Sequence, residues 1–308
     1  MRNAFIGALT EAAAEHPGIV FLTGDLGFKL FDDFARRFPG RFMNVGVAEA
    51  TMVGVASGLA LEGKKPFTYS IVPFATLRCY EQIRNDVCYH DADVTIVGVG
   101  GGYSYGPNGP THHALEDIAV MRVLPNMAVV CPGDPAETVA AVRMLAAHRG
   151  PAYLRLGRAG EPAVHPGPIH FRLGESLLLR DGGDATVLST GNMLATAVRS
   201  AEILAADGVE CRVVSMPTVK PLDTAALDSA AAHTRAVVAL EEHSVLGGFG
   251  SAVAEYLAER RAPVRFRRIG AADRFSHLCG DQAYHRAAHG LTPARVATVV
   301  RALLAGEA

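Results

Sequence analysis

Short apolar runs separated by amphipathic stretches set the rhythm of this chain. Runs at 18–23 (GIVFLT), 41–46, 66–71, 94–99, 127–131 and 152–156 are brief and show little polar alternation. Runs of that kind predict strands buried on both faces. Between them, 2–15, 31–38, 48–62, about 75–89 and 135–147 read as helices, the second stopped by Pro39-Gly40. The segment 157–174 breaks the rhythm with three prolines and four glycines, the composition of a connecting segment. A second series then begins. Strands are expected at 185–189, 211–216, 236–240 and 264–269, and helices at 193–206, 225–232 and 250–259. A last helix opens at Thr292-Pro293, an N-cap followed by proline at the first helical position. Strands alternating with helices give an α/β fold with two parallel-sheet domains. The first domain is expected over 1–165 and the second over 175–308, with a linker at 166–174.

Composition narrows the function classes. The chain has 308 residues, 49% hydrophobic and 19% charged, enough to bury two cores and unlike a disordered segment. A net charge of −2 leaves no electrostatic footprint for nucleic acid or an anionic membrane. Cysteines 79, 88, 131, 211 and 279 are scattered, with no zinc spacing, so they read as reduced thiols and mostly as small apolar core residues. The opening 18 residues lack the apolar core and cleavage site of a signal peptide, and no run approaches a membrane span. A cytoplasmic location is the expectation.

Two motifs in the glycine-rich loop 98–113 have unsuitable surroundings. Gly102-Tyr103-Ser104-Tyr105-Gly106 has the spacing of a serine nucleophile elbow, but Pro107-Asn108-Gly109-Pro110 follows where a helix must start. The run GVGGGY lacks the last glycine of a dinucleotide fingerprint and opens no helix.

The informative stretch is 43–60, MNVGVAEATMVGVASGLA. Glu49 stands at the mouth of a helix of small residues. A carboxylate there is either a first-turn charge favoured by the helix dipole or a working group. Gly54 and Gly58 cost helix propensity and suggest that something approaches the helix backbone closely. Gly46, Val47, Glu49, Met52, Ala56, Gly58, Leu59 and Ala60 resemble the pyrimidine-binding domain of transketolase-like, thiamine-diphosphate-dependent enzymes. Gly109-Pro110-Thr111-His112 resembles the transketolase Gly-Pro-Thr-His motif, and Thr111-His112-His113 also resembles its counterpart in deoxyxylulose-phosphate synthases. Arg78-Cys79-Tyr80-Glu81-Gln82-Ile83 fits the helix that follows the cofactor-stacking aromatic.

The resemblance implies a pyrimidine-binding domain followed by a transketolase C-terminal domain, and it implies roles. Glu49 would bond the pyrimidine ring, and Phe74, with Tyr69 near it, would line the cofactor; a gap-free alignment places the stacking position on Ala75. His112, with His113 second to it, would lie beside the reacting carbon. Asn108 stands where transketolases usually have aspartate, and glycines 100–102 stand where many have a sugar-binding histidine. Arg155 and Arg158 lie at a strand end where the family keeps arginines for a substrate phosphate, which the guanidinium fork suits. Asp25 and Lys29 lie along the expected substrate channel. Glu241-Glu242-His243 and 247–250 resemble a structural signature of the C-terminal domain.

No Gly-Asp-Gly, the family's magnesium and diphosphate motif, occurs. The resemblance therefore implies the C-terminal half of a split transketolase. A partner subunit would carry diphosphate and Mg2+, in a heterotetramer where this chain also meets its own copy. The expected activity, in carbohydrate metabolism, is transfer of a two-carbon ketol unit from a ketose (phosphate) to an aldose. Alternatives are a deoxyxylulose-phosphate-synthase-like activity with pyruvate, a 2-oxo acid dehydrogenase beta subunit, a non-catalytic subunit, and, remotely, a serine hydrolase using Ser104.

Overall fold

The apolar runs of the first half pair into one sheet in the computed structural model, which describes residues 1–307. Strands β1 (Ile19–Thr23), β2 (Phe42–Asn44), β3 (Lys65–Ile71), β4 (Thr95–Val99), β5 (Ala128–Val130) and β6 (Ala152–Leu156) are parallel, in the order β5-β6-β4-β3-β1-β2. Helices α1 (Arg2–Glu15) and α2 (Asp32–Arg37) lie on one face, as does α7 (Pro135–Ala147). The opposite face is covered by α3 (Glu49–Leu61), α4 (Val72–Thr76), α5 (Tyr80–Gln82) running into a π-helix at Ile83–Tyr89, and α6 (Asp117–Arg122). Burial on both faces is why these strands read as unbroken apolar runs.

The second sheet has the order β12-β11-β8-β9-β7. It comprises β7 (Leu177–Arg180), β8 (Ala185–Ser189), β9 (Cys211–Ser215), β11 (Ala236–Ser244) and β12 (Arg265–Ala271), with β7 antiparallel to β9. Helix α8 (Leu194–Ala206) and α12 (Pro293–Ala305) pack on one face, α9 (Thr224–His233) and α10 (Phe249–Glu259) on the other. A short helix α11 (Gln282–Ala288) lies between β12 and α12. Thr292 caps α12 by accepting from the Arg295 amide at 3.3 Å.

Strand β10 (Thr218–Lys220) leaves this sheet and adds antiparallel to β5, so the first sheet ends with a strand from the second half of the sequence. One apolar core continues from β1 and α3 through β5 to α9 and α10.

Two differences from the expected elements appear. The helix expected at 75–89 is broken after Thr76, and Phe74 and Arg78 flank the break. Short or half-exposed elements (α6, β7, β10 and α11) carry too little periodicity to be read in advance. The proline-rich segment is docked along the first domain. Asp134 caps α7 through Oδ1, accepting from the Glu137 amide at 2.8 Å. Its Oδ2 accepts from the amides of Val164 and His165, both at 2.9 Å. Four cysteines are buried, and burial pushes the Cys79, Cys88, Cys131 and Cys211 thiols up to about 12. Among the described residues, no helix is long and apolar enough to cross a membrane.

Candidate active site

After β1 the sheet grows toward β2 on one side and toward β3 and β4 on the other. Such a reversal of strand order opens a crevice at the carboxyl ends of the strands. Gly24 follows β1, Ser70 lies near the end of β3, and α3 begins at Glu49, so all three converge there. Glu49 is 1% exposed. Its Oε1 accepts from Ser70 Oγ at 2.8 Å and its Oε2 from Arg78 Nη1 at 2.8 Å. A Cβ on Gly24 would lie 3.3 Å from Oε1, so glycine leaves the room this carboxylate uses. A buried carboxylate needs a counter-charge and donors, and both are present. Each carboxylate oxygen accepts more than one bond, so capacity for a further donor remains.

A continuous strip leads outward from Glu49. The Arg78 guanidinium, 44% exposed, lies 4.3 Å from the Phe74 ring centroid. Phe74 meets His112 edge-on at 5.2 Å. Tyr105 lies 6.2 Å from His112, and the Arg158 guanidinium lies 4.9 Å over Tyr105. His112 Nδ1 pairs with Thr111 Oγ1 at 2.9 Å. With that hydroxyl donating, Nε2 carries the ring proton and is a donor. Asp25, at φ 55°, shares this carboxyl edge and accepts from Asn44 Nδ2 at 2.9 Å. Asn108 is exposed on the turn Gly106–Asn108, four residues before His112.

Other expected site residues lie elsewhere. Tyr69 points away from the crevice, because side chains alternate along β3. Its ring is fully buried among Phe5, Phe21 and Phe31, and its neighbour Ser70 takes the place beside Glu49. Ala75 is buried too, so the aromatic in the cleft is Phe74. Arg155 is 4% exposed and serves no external phosphate. Its Nε donates to Asp117 Oδ2 at 2.7 Å, and its Nη2 donates to the carbonyls of Ala114 at 2.9 Å and Glu242 at 3.0 Å. His113 is buried, with Nε2 3.2 Å from the Gly106 carbonyl and its ring against Tyr103. Burial lowers its proton affinity below the usual imidazole range. Ser104 donates to the Gly101 carbonyl at 2.7 Å, and only a three-residue 3-10 turn at Gly106–Asn108 follows where an α-helix is needed, so the nucleophile-elbow reading fails.

Ser70, Arg78 and Tyr105 join the strip without having been singled out as site residues. Period-two alternation along β3 was the available signal for Ser70; Arg78 stood inside a quoted motif with no role attached. A Cβ on Gly54 or Gly58 would meet nothing within 4 Å beyond the local backbone of α3, so no other described element makes the close approach they suggest. They lie on an outward face of α3 with Val55 and Leu61, continued by Val47, which is 70% exposed. Among the described residues, no group of three or more His, Cys, Asp or Glu could hold a metal ion.

Known proteins share this architecture. The chain matches the family descriptions "Transketolase, pyrimidine binding domain" over residues 1–160 and "Transketolase, C-terminal domain" over 174–296. It is 42% identical to the 6-deoxy-6-sulfo-D-fructose transketolase subunit SqwH of Clostridium sp. (strain MSTE9), covering 95% of this chain and 90% of that one. It is 39% identical to an apulose-4-phosphate transketolase subunit of Actinobacillus succinogenes, covering 84% and 83%. Among solved structures, a split gene transketolase described as an inactive beta4 tetramer superposes with a TM-score of 0.93 at 42% identity, covering 100% and 99%. Transketolase of Pichia stipitis shares the fold at a TM-score of 0.82 and 22% identity, with 99% of this chain covering 46% of that one. With both domains matched in sequence and structure, this chain belongs to the transketolase family and carries its pyrimidine-binding and C-terminal domains.

Proposed function

We propose that the strip from Glu49 to His112 receives the aminopyrimidine end of thiamine diphosphate. On this reading the chain is one subunit of a split transketolase that moves a two-carbon ketol unit from a ketose to an aldose. The observation that carries the reading is the buried Glu49 carboxylate at the strand-order reversal, with the partly buried Phe74 ring near it. A heteroaromatic ring with a basic nitrogen fits there. Glu49 would hold the nitrogen of such a ring, and Phe74 would offer it an aromatic surface.

When bound, the cofactor supplies a nucleophilic carbon that breaks and remakes the carbon–carbon bond beside a carbonyl. Glu49, itself buried, would bond the ring nitrogen and hold or move a proton there. Ser70 and Arg78 keep the carboxylate aimed. His112 donates from Nε2 to the substrate oxygen on which charge develops. Arg158, on the same strip, suits an anionic group at the far end of the sugar. Asp25 and Asn108 offer polar contacts to hydroxyls. The relatives' sugars carry a sulfonate and a phosphate by name, which agrees with such a cation.

We place the diphosphate and Mg2+ on a partner subunit. Supporting this, the chain spans 90% of a subunit of a transketolase but 46% of a one-chain transketolase, and it has no Gly-Asp-Gly. The small-residue face of α3 is the surface we assign to that partner. A calorimetric titration of thiamine diphosphate with Mg2+ tests the arrangement, using this chain alone and mixed with the neighbouring gene product. Tight binding and ketol transfer are expected only in the mixture. Tight binding by this chain alone would show that the diphosphate site has been misplaced.

His112→Ala in the mixture is expected to lower kcat about 100- to 1,000-fold, the scale of removing one oxyanion donor. A kcat within about twofold of wild type would exclude that role. One relative favours a second reading. The chain is 35% identical to 1-deoxy-D-xylulose-5-phosphate synthase 1 of Geobacter sulfurreducens and covers 48% of it. Product analysis with pyruvate as donor separates the two activities.

A further inference from the structure

The loop that presents His112 is closed at its stem by a two-residue antiparallel bridge. The Gly102 amide donates to the Ala114 carbonyl at 2.9 Å, and the Ala114 amide donates to the Gly102 carbonyl at 2.9 Å. Both stem residues lead to one residue of the second domain, Glu242, which is 1% exposed on β11. Its carboxylate accepts from the Tyr103 amide at 3.2 Å. Its carbonyl shares Arg155 Nη2 with the carbonyl of Ala114. Gly102 is pressed against the same carboxylate. A Cβ there would come within 2.5 Å of Glu242, and φ is +67°. Glycine is therefore required at this point, both for the approach and for the backbone conformation.

From the other side, α11 holds the carboxylate in place. Arg286 Nη2 donates to Glu242 Oε2 at 2.7 Å, and Gln282 Nε2 donates to Oε2 at 2.9 Å and to Ser104 Oγ at 3.2 Å. The Tyr103 ring lies nearly parallel to the His285 and His289 rings, each at 4.9 Å. The loop thus belongs to the first domain by sequence but is held in position by the second.

We infer that Glu242 is a positioning residue: it locks the stem of the His112 loop and so sets the geometry of group transfer without touching substrate. This rests on the role proposed for His112. A shift of about 1 Å in a catalytic group can cost on the order of 100-fold in rate, so a rigid stem matters to the chemistry. The Glu49 end of the cleft hangs on β1, β3 and α3, and none of the Glu242 bonds reaches it. Loss of Glu242 therefore separates two quantities that a general loss of folding would move together.

The test compares Glu242→Ala and the isosteric Glu242→Gln, each in the complete two-subunit complex. Three things are read: hydrogen exchange of residues 103–113, the Kd for thiamine diphosphate, and kcat and KM for the sugars. Exchange in the loop is expected to rise and kcat to fall by about tenfold or more in Glu242→Ala. Glu242→Gln keeps an acceptor for the Tyr103 amide and should fall between Ala and wild type. Cofactor Kd is expected to stay within about twofold in both.

Unchanged loop exchange in both variants would overturn the proposal, as would faster exchange with wild-type kcat. An equal loss of cofactor affinity would also overturn it, since that marks a structural role alone. If Glu242→Ala does not assemble, Glu242→Gln decides by the same three readouts. A wild-type complex that transfers no ketol unit would instead overturn the functional reading, and this role with it.

Discussion

Glu49→Ala in the assembled two-subunit enzyme is expected to reduce turnover by about 100- to 10,000-fold at saturating cofactor, the range for losing a positioned acid–base group. Glu49 presents a buried, doubly supported carboxylate at the strand-order reversal, and on the proposed reading its replacement takes away the proton partner of the ring nitrogen. Arg78 also loses the anion it pairs with at 2.8 Å. Because Arg78 is half exposed, water takes over that charge and the cost to folding is modest. Activity should therefore fall far more than thermal stability. Glu49→Gln sharpens the result, since it preserves shape and the bond to Ser70 but does not exchange a proton at neutral pH. Wild-type turnover in either variant would remove Glu49 from the mechanism.

Asp117→Ala is expected to show the opposite pattern, a large loss of stability with the Glu49 end of the cleft left intact. Asp117 is 1% exposed and accepts from Arg155 Nε and from the Tyr153 hydroxyl, both at 2.7 Å. Removing it strands a buried guanidinium and a buried hydroxyl. Breaking a buried ion pair from one side costs about 3–5 kcal/mol. Arg155 also bonds Ala114 and Glu242, so the damage lands where the two domains meet. Urea unfolding should show the midpoint falling sharply. The double variant Asp117→Leu with Arg155→Met should recover the part of the loss that comes from the stranded guanidinium, but not the part from the Tyr153 hydroxyl and the Ala114 and Glu242 carbonyls, which stay without those partners. A single-variant loss under about 1 kcal/mol would show that the pair is not what joins this junction.

The contrast between these carboxylates marks how far the residues could be read in advance. Two α/β domains were legible because strands buried on both faces leave unbroken apolar runs. Glu49 and His112 were legible because short motifs surround them in sequence. The sequence did not say which residues hold Glu49. Ser70 and Arg78 arrive from a neighbouring strand and from beyond a broken helix, and such meetings depend on register. Tyr69 was drawn toward the cofactor by sequence proximity, yet strand alternation turns it into the core and offers Ser70 instead. Arg155 looked like a phosphate ligand at a strand end. Packing of the second domain over that strand buries it against Asp117, and a buried cation must take the partner it is given.

By itself, then, the sequence determined the local periodicities, the family motifs and the places of Glu49 and His112 within them. These properties are written in neighbours along the chain, where spacing alone carries the information. Tertiary structure decided which side of β3 faces the crevice, that β10 crosses to the first sheet, and that Glu242 of the second domain holds the loop of the first. Those outcomes pair residues far apart in sequence. They follow from burying apolar faces and satisfying every buried charge together, a condition met only when the whole chain is folded.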